Sequence, residues 1–364
     1  MKILSVDLLN FRNYERASVN FTDGLNVLYG ENGSGKTNML ESVYFASLLS
    51  SLRATKDKEM VMMDKESSTV KVLLEKKYRK HTISISLDAQ GKKKVLVDGV
   101  PISRASELVG VLGVVLFSPD EMKLVKESPL ERRRFLDVGL SQQQRSYFFA
   151  LSRYTHALKQ KNNLLKEYKT AKNVDDMLDV WDSVLAKEGA TIIAKRKEYI
   201  ATLCDSAKKF HYILSGEKET LNLSYESGVN VDCEGEELES NMLSALRASR
   251  EKDKDLGYST VGPHRDDIKI EINGKDARKY ASQGQQRTTA LAMKIGQVVI
   301  YKDEIGEPPV LLLDDVLSEL DENRQKILLD LTKSFQTILT CTEYKLDNPA
   351  TLFCVSNGNI KQTK

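Results

Sequence analysis

Apolar and polar residues alternate with a period of two through "KILSVDLLNF", "RASVNF" and "LNVLYG". The turn formers Thr22, Asp23 and Gly24 separate the last two runs, so the pattern predicts three opening strands. "GENGSGKT" then leads into "NMLESVYFASLL", whose spacing predicts a helix. Alternation returns in "STVKVLLEKKYRKHTISISL", "KKKVLVDG" and "VGVLGVVLF", with Lys and Arg on alternate positions that point to exposed faces.

From about Glu131 the period changes. Phe148, Leu151, Thr155, Leu158, Leu165 and Tyr168 recur mostly three, four or seven apart. Met177, Trp181, Val184, Ile192, Tyr199, Leu203, Phe210 and Leu214 form a second such stripe. Two long amphipathic helices with a loop at residues 171–173 read as an antiparallel hairpin, either ordinary helical core or a projecting arm. "CEGEELESN" reads as an acidic loop and "MLSALRASREKDKDLGYSTVGPHRDD" as a helix fading into a charged turn. After Gly262 and Pro263 the strand pattern resumes, and the remaining residues alternate helix and strand, ending in "PPVLLLDD", "QTILTCT" and "TLFCVSNG". The expected fold is α/β with a mixed, partly parallel sheet, interrupted by a helical insertion that forms a second lobe.

Composition narrows this picture only slightly. The formal net charge is +2, so a polyanionic partner would have to meet a local basic patch. Candidate patches are residues 76–81, 91–94, 131–134 and 195–197. Cys204, Cys233, Cys341 and Cys354 are scattered without CxxC spacing, which indicates neither a zinc site nor a disulfide framework and makes a cytoplasmic location the expectation. No apolar run reaches membrane-spanning length, and the opening residues lack the apolar segment of a signal peptide.

The strongest chemical signal is Gly30, Glu31, Asn32, Gly33, Ser34, Gly35, Lys36 and Thr37, which matches G-x-x-x-x-G-K-[ST] between a strand and a helix. Backbone N–H groups of such a loop cradle phosphate oxygens. Lys36 is expected on the β- and γ-phosphates of ATP and Thr37 on Mg2+. The apolar strand before Asp314 and Asp315 places two carboxylates at a strand's C-terminal end, where ligands of open α/β sheets bind. Asp314 is the candidate magnesium ligand, and Asp315 the candidate that polarises an attacking water. Ser282, Gly284 and Gln285 open a further helix. Ser282 and Gln285 match the capping box S-x-x-Q, so the motif reads equally as a well-capped helix end.

Phosphate loop, Ser-x-Gly-Gln helix, apolar strand ending in two Asp, and "SELD" (318–321) follow one another in the order that resembles the ATP-binding-cassette ATPases. The resemblance implies that Ser282, Gly284 and Gln285 contact the ATP held by a partner subunit, in a homodimer formed on ATP binding. "LLNFRNY" before "GLNVLYGENGSGKTNMLES" is similar to the chromosome-maintenance branch. "SLRATKDKEM", "FSPDEMKLVKESPLERRRFLD", "TVGPHRDD" and "SQGQQRT" are similar to the RecF family within it. That resemblance covers nearly the whole chain. It implies a weak, DNA-stimulated ATPase that acts as a switch, binding duplex DNA near single-strand gaps without sequence preference. RecR, RecO and RecA are the implied partners. It also implies that Arg12 and Asn13 lie near the nucleotide and that Arg53 neutralises phosphate charge. The implied division is an ATPase lobe over 1–125 and 256–364 with a helical lobe over 126–255.

Three departures from transporter-type members imply slow turnover: Asp315 replaces a glutamate, residues 118–120 replace the glutamine loop, and Thr340, Cys341 or Thr342 stands where a switch histidine would be. The short insertion and the missing histidine argue against a transporter subunit. The absence of a long coiled coil and of zinc-hook cysteines argues against a nuclease partner. "GPHRDD" (262–267) reads as a charged turn before a strand, and its residues give no mechanism.

Overall fold

The computed structural model describes residues 1–52, 56–168, 173–344 and 349–363. The chain divides into two compact units, one made of Met1–Glu121 with Gln297–Lys364 and the other of Met122–Gly296. The first opens with β1 (Lys2–Phe11), β2 (Tyr14–Asn20), β3 (Leu25–Tyr29), α1 (Lys36–Leu48), β4 (Ser67–Glu75), β5 (Lys80–Asp88), β6 (Lys93–Val97), β7 (Val100–Ile102) and β8 (Val114–Phe117). The second holds α2 (Lys123–Lys126), α3 (Pro129–Gln143), α4 (Arg145–Glu167), α5 (Val174–Leu214), β9 (Leu221–Glu226), α6 (Gly235–Ala248), α7 (Arg250–Leu256), β10 (Asp267–Ile272), β11 (Lys275–Asp276) and α8 (Ala277–Tyr280). The long helix α9 (Gln283–Ile305) contains the boundary, and β12 (Val310–Asp314), α10 (Glu322–Thr332), β13 (Thr337–Cys341), β14 (Thr351–Ser356) and β15 (Asn359–Gln362) complete the first unit.

Among its described residues the first unit has two six-stranded sheets. One is antiparallel in the order β2-β1-β4-β5-β6-β7; the other runs β15-β14-β3-β13-β12-β8 and is parallel except for β15. The two sequence patterns explain the two kinds of sheet. β4 and β5 alternate buried and accessible residues, the mark of a sheet with one wet face. β12 and β13 are buried at every position, as central parallel strands must be. α1 packs against strands of both sheets, which is why Met39, Leu40, Val43, Phe45 and Ala46 are buried and no polar face is left. Gln336 fastens one sheet to the other: its side chain accepts from the Ile3 amide at 2.6 Å and donates to the Ile3 carbonyl at 2.7 Å.

In the second unit, α5 packs against α4, α6 and the small antiparallel sheet β11-β10-β9. The expected loop between α4 and α5 falls largely outside the described residues. The buried face of α4 is Tyr147, Ala150, Tyr154, Ala157, Lys161 and Leu165; Leu165 was expected, whereas Tyr147, Ala150, Tyr154 and Ala157 each precede an expected position by one. The cause is polar. Tyr147 and Tyr154 are held by hydrogen bonds, and Lys161 lies fully buried between Asp182 at 2.9 Å and Asp253 at 3.2 Å. The acidic run expected as a loop is the start of α6, where Glu236 and Glu237 favour the positive end of the helix dipole. Only Val114–Phe117 of "VGVLGVVLF" forms a strand, and β9 was not among the expected strands, although "LNLSYE" alternates apolar and polar residues. Residues 256–296 pack with the helical unit, so the contact boundary falls inside α9 instead of near residue 256.

Candidate nucleotide-binding site

The loop after β3 is shaped for a ligand that approaches backbone. Gly30, Gly33 and Gly35 have φ of 152°, 79° and 118°. A Cβ on Gly30 would stand 2.2 Å from the Val355 carbonyl oxygen, and one on Gly35 would stand 2.6 Å from the Asn13 amide. The loop is also braced from outside. Asn13 Nδ2 donates to the Ser34 carbonyl at 2.9 Å, Tyr14 Oη to the Gly35 carbonyl at 2.9 Å, and the Gly358 amide to the Ser34 carbonyl at 3.2 Å. Asn38 in turn donates to Asn13 Oδ1 at 2.8 Å. Lys36 Nζ bends back onto the carbonyls of Gly30 and Glu31, each at 2.7 Å. Among the described residues the buried Ser34 hydroxyl has no hydrogen-bond partner. An orphaned donor, a lysine ammonium and the N-terminus of α1 with no acid in its first turn together fit a phosphate chain.

The acidic strand end meets this loop directly. Asp314 Oδ1 accepts from Thr37 at 2.7 Å and from Thr340 at 2.8 Å. The pair Thr37–Asp314 fits Mg2+. Among the described residues no group of three or more His, Cys, Asp or Glu could hold a metal, so magnesium here would take further oxygens from phosphate and water. Asp315 sits in the left-handed region at φ 51°, and its amide donates to the Thr340 carbonyl at 3.2 Å and hydroxyl at 3.0 Å. Burial and then the neighbouring Asp314 raise its carboxyl pKa, while Ser318 and Lys36 oppose the shift. Of the three residues offered in place of a switch histidine, Thr340 bonds both acids. Burial pushes the Cys341 thiol up to about 11, so it is neutral at physiological pH.

Arg12 is committed to the protein through all three guanidinium nitrogens. Nε and Nη2 grip buried Glu41 at 2.8 and 2.9 Å, and Nη1 reaches the Glu59 carbonyl at 2.7 Å. Asn13 and Arg12 therefore shape the turn beside the phosphate loop. Arg53 lies outside the described residues. The sequence assigned no role to Tyr14, Asn38, Glu41 or Gly358, although Tyr14, Asn38 and Glu41 lie within the stretches that carry the resemblance.

In the second unit, the signature residues form the capping box the sequence allows. The Gln285 side chain accepts from the Ser282 amide at 2.8 Å, and Ser282 Oγ accepts from the Gln285 amide at 3.3 Å. Ser282 is exposed, and nothing crowds Gly284. In the first unit, Asp321 of "SELD" caps α10 by accepting from the Arg324 amide at 3.1 Å.

"GPHRDD" is more than a charged turn. Arg196, buried on α5, donates to the Pro263 carbonyl at 2.7 Å, to Tyr147 Oη at 3.0 Å and to Asp137 at 2.7 Å. His264 is bonded to Tyr154 Oη at 2.6 Å and to the Ser259 carbonyl at 3.0 Å. Asp266 accepts from Tyr225 and Ser227, and Asp267 takes Arg132 in a fork at 2.6 and 2.9 Å. These partners come from α3, α4, α5 and β9, too far along the chain for any local pattern to reveal. The same bonds remove Arg132 and Arg196 from the candidate DNA contacts, since both are buried in ion pairs. Residues 76–80, at the β4–β5 turn, remain accessible, with Tyr78 86% exposed between Lys77 and Arg79.

Comparison with known proteins adds to this geometry. Residues 2–358 match the RecF/RecN/SMC N terminal domain family. The DNA replication and repair protein RecF of Clostridium tetani is 42% identical over 364 residues, covering 98% of this chain and 99% of that protein. The solved structure of the recombination mediator protein RecF with ATP, from the RecFOR pathway, superposes with a TM-score of 0.93 at 35% identity, covering 100% of this chain and 97% of that one. An SMC head bound to the C-winged helix domain of ScpA superposes with a TM-score of 0.57 at 16% identity, covering 100% of this chain and 97% of that one; it shares the fold. Among the described residues no helix is long and apolar enough to cross a membrane.

Proposed function

The chain belongs to the RecF/RecN/SMC N-terminal domain family, and from that premise we propose that it is an ATP-gated, DNA-binding dimer of replication and recombinational repair. The observation that carries this reading is the presence in one chain of a braced phosphate loop joined to Asp314 and, separately, of an exposed, capped Ser282 at the mouth of α9. The first holds its own nucleotide; the second is free to meet that of a second copy. Bound ATP would supply the γ-phosphate charge that both copies recognise, and its loss would weaken the bridge. Lys36 and the loop amides orient the phosphate chain, Thr37 and Asp314 hold magnesium, and Asp315 accepts a proton from water. This is a weak, DNA-stimulated ATPase used as a switch.

The DNA contact is electrostatic and sequence-independent, on duplex near single-strand gaps. The named pathway of the solved RecF–ATP structure supports RecO and RecR as partners, and RecA loading is the outcome the family resemblance implies. DNA affinity measured with ATP and with ADP tests the gate: ATP should tighten binding to gapped duplex, and equal affinity would overturn the reading. Replacing Ser282 by Arg should leave nucleotide binding by the monomer intact and stop ATP-driven dimerisation.

A further inference from the structure

The last three turns of α5 grip the start of α9 along one face. Gly296 of α9 lies so close to α5 that a Cβ there would stand 3.1 Å from the Leu203 methyl and 3.3 Å from the Ala207 amide. Nearer the start of α9, Thr289 Oγ1 is 3.1 Å from Nε2 of His211, which is fully buried on α5. One turn further, Gln285 Nε2 donates to Glu219 Oε1 at 2.7 Å, and the other Glu219 oxygen lies 3.7 Å from His211 Nε2. The Glu219 amide is itself fixed on Ser215 Oγ at 3.2 Å, just past the end of α5. Gln285, Thr289 and Gly296 are spaced four and seven apart, as are Leu203, Ala207 and His211 at steps of four, so each set occupies one helix face. Later residues of α5 meet earlier residues of α9, so the two helices run antiparallel.

Gln285 has a second duty in this grip. Its Oε1 accepts from the Ser282 amide while its Nε2 is held by Glu219. The capping box alone needs only Ser282 and Gln285. The bond to Glu219 adds nothing to the cap and instead fixes the rotamer of Gln285, and through it the backbone of Ser282. We infer that Glu219 and His211 are positioning residues for the signature loop, making the returning helix α5 part of the ATP gate. A displacement of α5 then reaches Ser282 through the side chains of His211, Glu219 and Gln285. This inference rests on the ATP-bridged dimer proposed above.

The test compares wild type with Glu219→Ala, Glu219→Gln and Thr289→Val. Binding of a fluorescent ATP analogue at low protein concentration reports the monomer; sedimentation with a non-hydrolysable ATP analogue and magnesium reports the dimer. Glu219→Ala should leave monomer affinity unchanged and weaken the dimer about tenfold. Glu219→Gln, which still offers an acceptor to Gln285, should recover to within about threefold of wild type. A merely structural role would lower the melting temperature without this split and without the rescue. Should Glu219→Ala fail to fold, Thr289→Val, similar in shape, is expected to show the same split. A wild-type chain that stays monomeric overturns the parent reading and this inference with it. Wild type that dimerises beside variants that dimerise equally well overturns the positioning role alone.

Discussion

Thr340 donates its hydroxyl to Asp314 Oδ1 at 2.8 Å while receiving the Asp315 amide at 3.0 Å. One side chain of β13 thus fixes both acids at the end of β12, with Thr37 on the other side of the same Asp314 oxygen at 2.7 Å. Thr340→Val keeps the branched shape and removes the hydroxyl. Nucleotide affinity should stay within about threefold, and magnesium-dependent hydrolysis should fall about tenfold or more, since hydrogen bonds to charged groups are the costly ones to lose. Steady-state ATP hydrolysis and equilibrium binding check both halves. An unchanged rate would show that Asp314 is placed without the Thr340 hydroxyl.

The phosphate loop and the acidic strand end were legible because each is a local pattern: glycines at fixed spacing, then four apolar residues and two acids. The capping box of Ser282 and Gln285 was legible too, since S-x-x-Q is itself a local pattern. The buried face of α4 was not. Hydrophobic spacing selects Phe148 and Leu151, whereas the fold buries Tyr147, Tyr154 and Lys161, whose partners Arg196, His264, Asp182 and Asp253 lie elsewhere in the chain. Periodicity counts apolar residues, and here long-range polar bonds set the face. For the same reason "GPHRDD" and the Glu219–Gln285 contact had no local signature.

Gly358, in the turn between β14 and β15, offers a separate test of the brace around the phosphate loop. Its φ is 72°, and a Cβ would stand 2.4 Å from the Asn13 carbonyl oxygen. Gly358→Ala should therefore cost about 1–3 kcal/mol of stability from backbone strain and displace the turn. Because its amide holds the Ser34 carbonyl, ATP affinity should fall as well. Gly24→Ala is the control: φ is similar at 76°, but nothing lies within 4 Å of the added Cβ. Thermal melts should move for both variants, whereas nucleotide titration should move only for Gly358→Ala. Equal nucleotide affinities would separate the turn from the loop.

Asp315 can take a proton from water only as a carboxylate. Its pKa is raised, by burial first and Asp314 second, so it protonates at a higher pH than an ordinary aspartate. Hydrolysis is then complete above that raised pKa and is lost as pH falls through it. The acid limb of the kcat/KM profile, which reports the free enzyme, should lie above the usual aspartate value of about 4. Asp315→Asn should bind ATP, hydrolyse it at a small fraction of the wild-type rate, and lose this limb. A wild-type limb at the ordinary carboxylate position would remove Asp315 from the role of base.

His264 makes the helical unit sensitive to acid. The Ser259 carbonyl can only accept, so His264 Nε2 carries the proton, and Nδ1 accepts from Tyr154. Both ring nitrogens are thereby used in the neutral form. Burial, with Arg265, Arg133 and Lys161 nearby, lowers the pKa from 6.5 to about 4. In the unfolded chain the same histidine takes a proton near pH 6.5. Between these values the unfolded state binds more protons than the folded one, so stability rises with pH. It is fully present above about 6.5 and is lost as pH falls toward 4. Between pH 7 and pH 5 the loss should be about 2 kcal/mol. Asp266 works in the opposite direction, because burial raises its pKa and the folded state takes up its proton early. The informative measurement is therefore a difference. Urea unfolding of wild type and His264→Gln at pH 7 and pH 5 isolates the histidine, since Gln can still accept from Tyr154 and donate to Ser259 but does not titrate. Wild type should lose about 2 kcal/mol more than the variant over that interval. Parallel losses would show that the acid sensitivity lies in the carboxylates of the network.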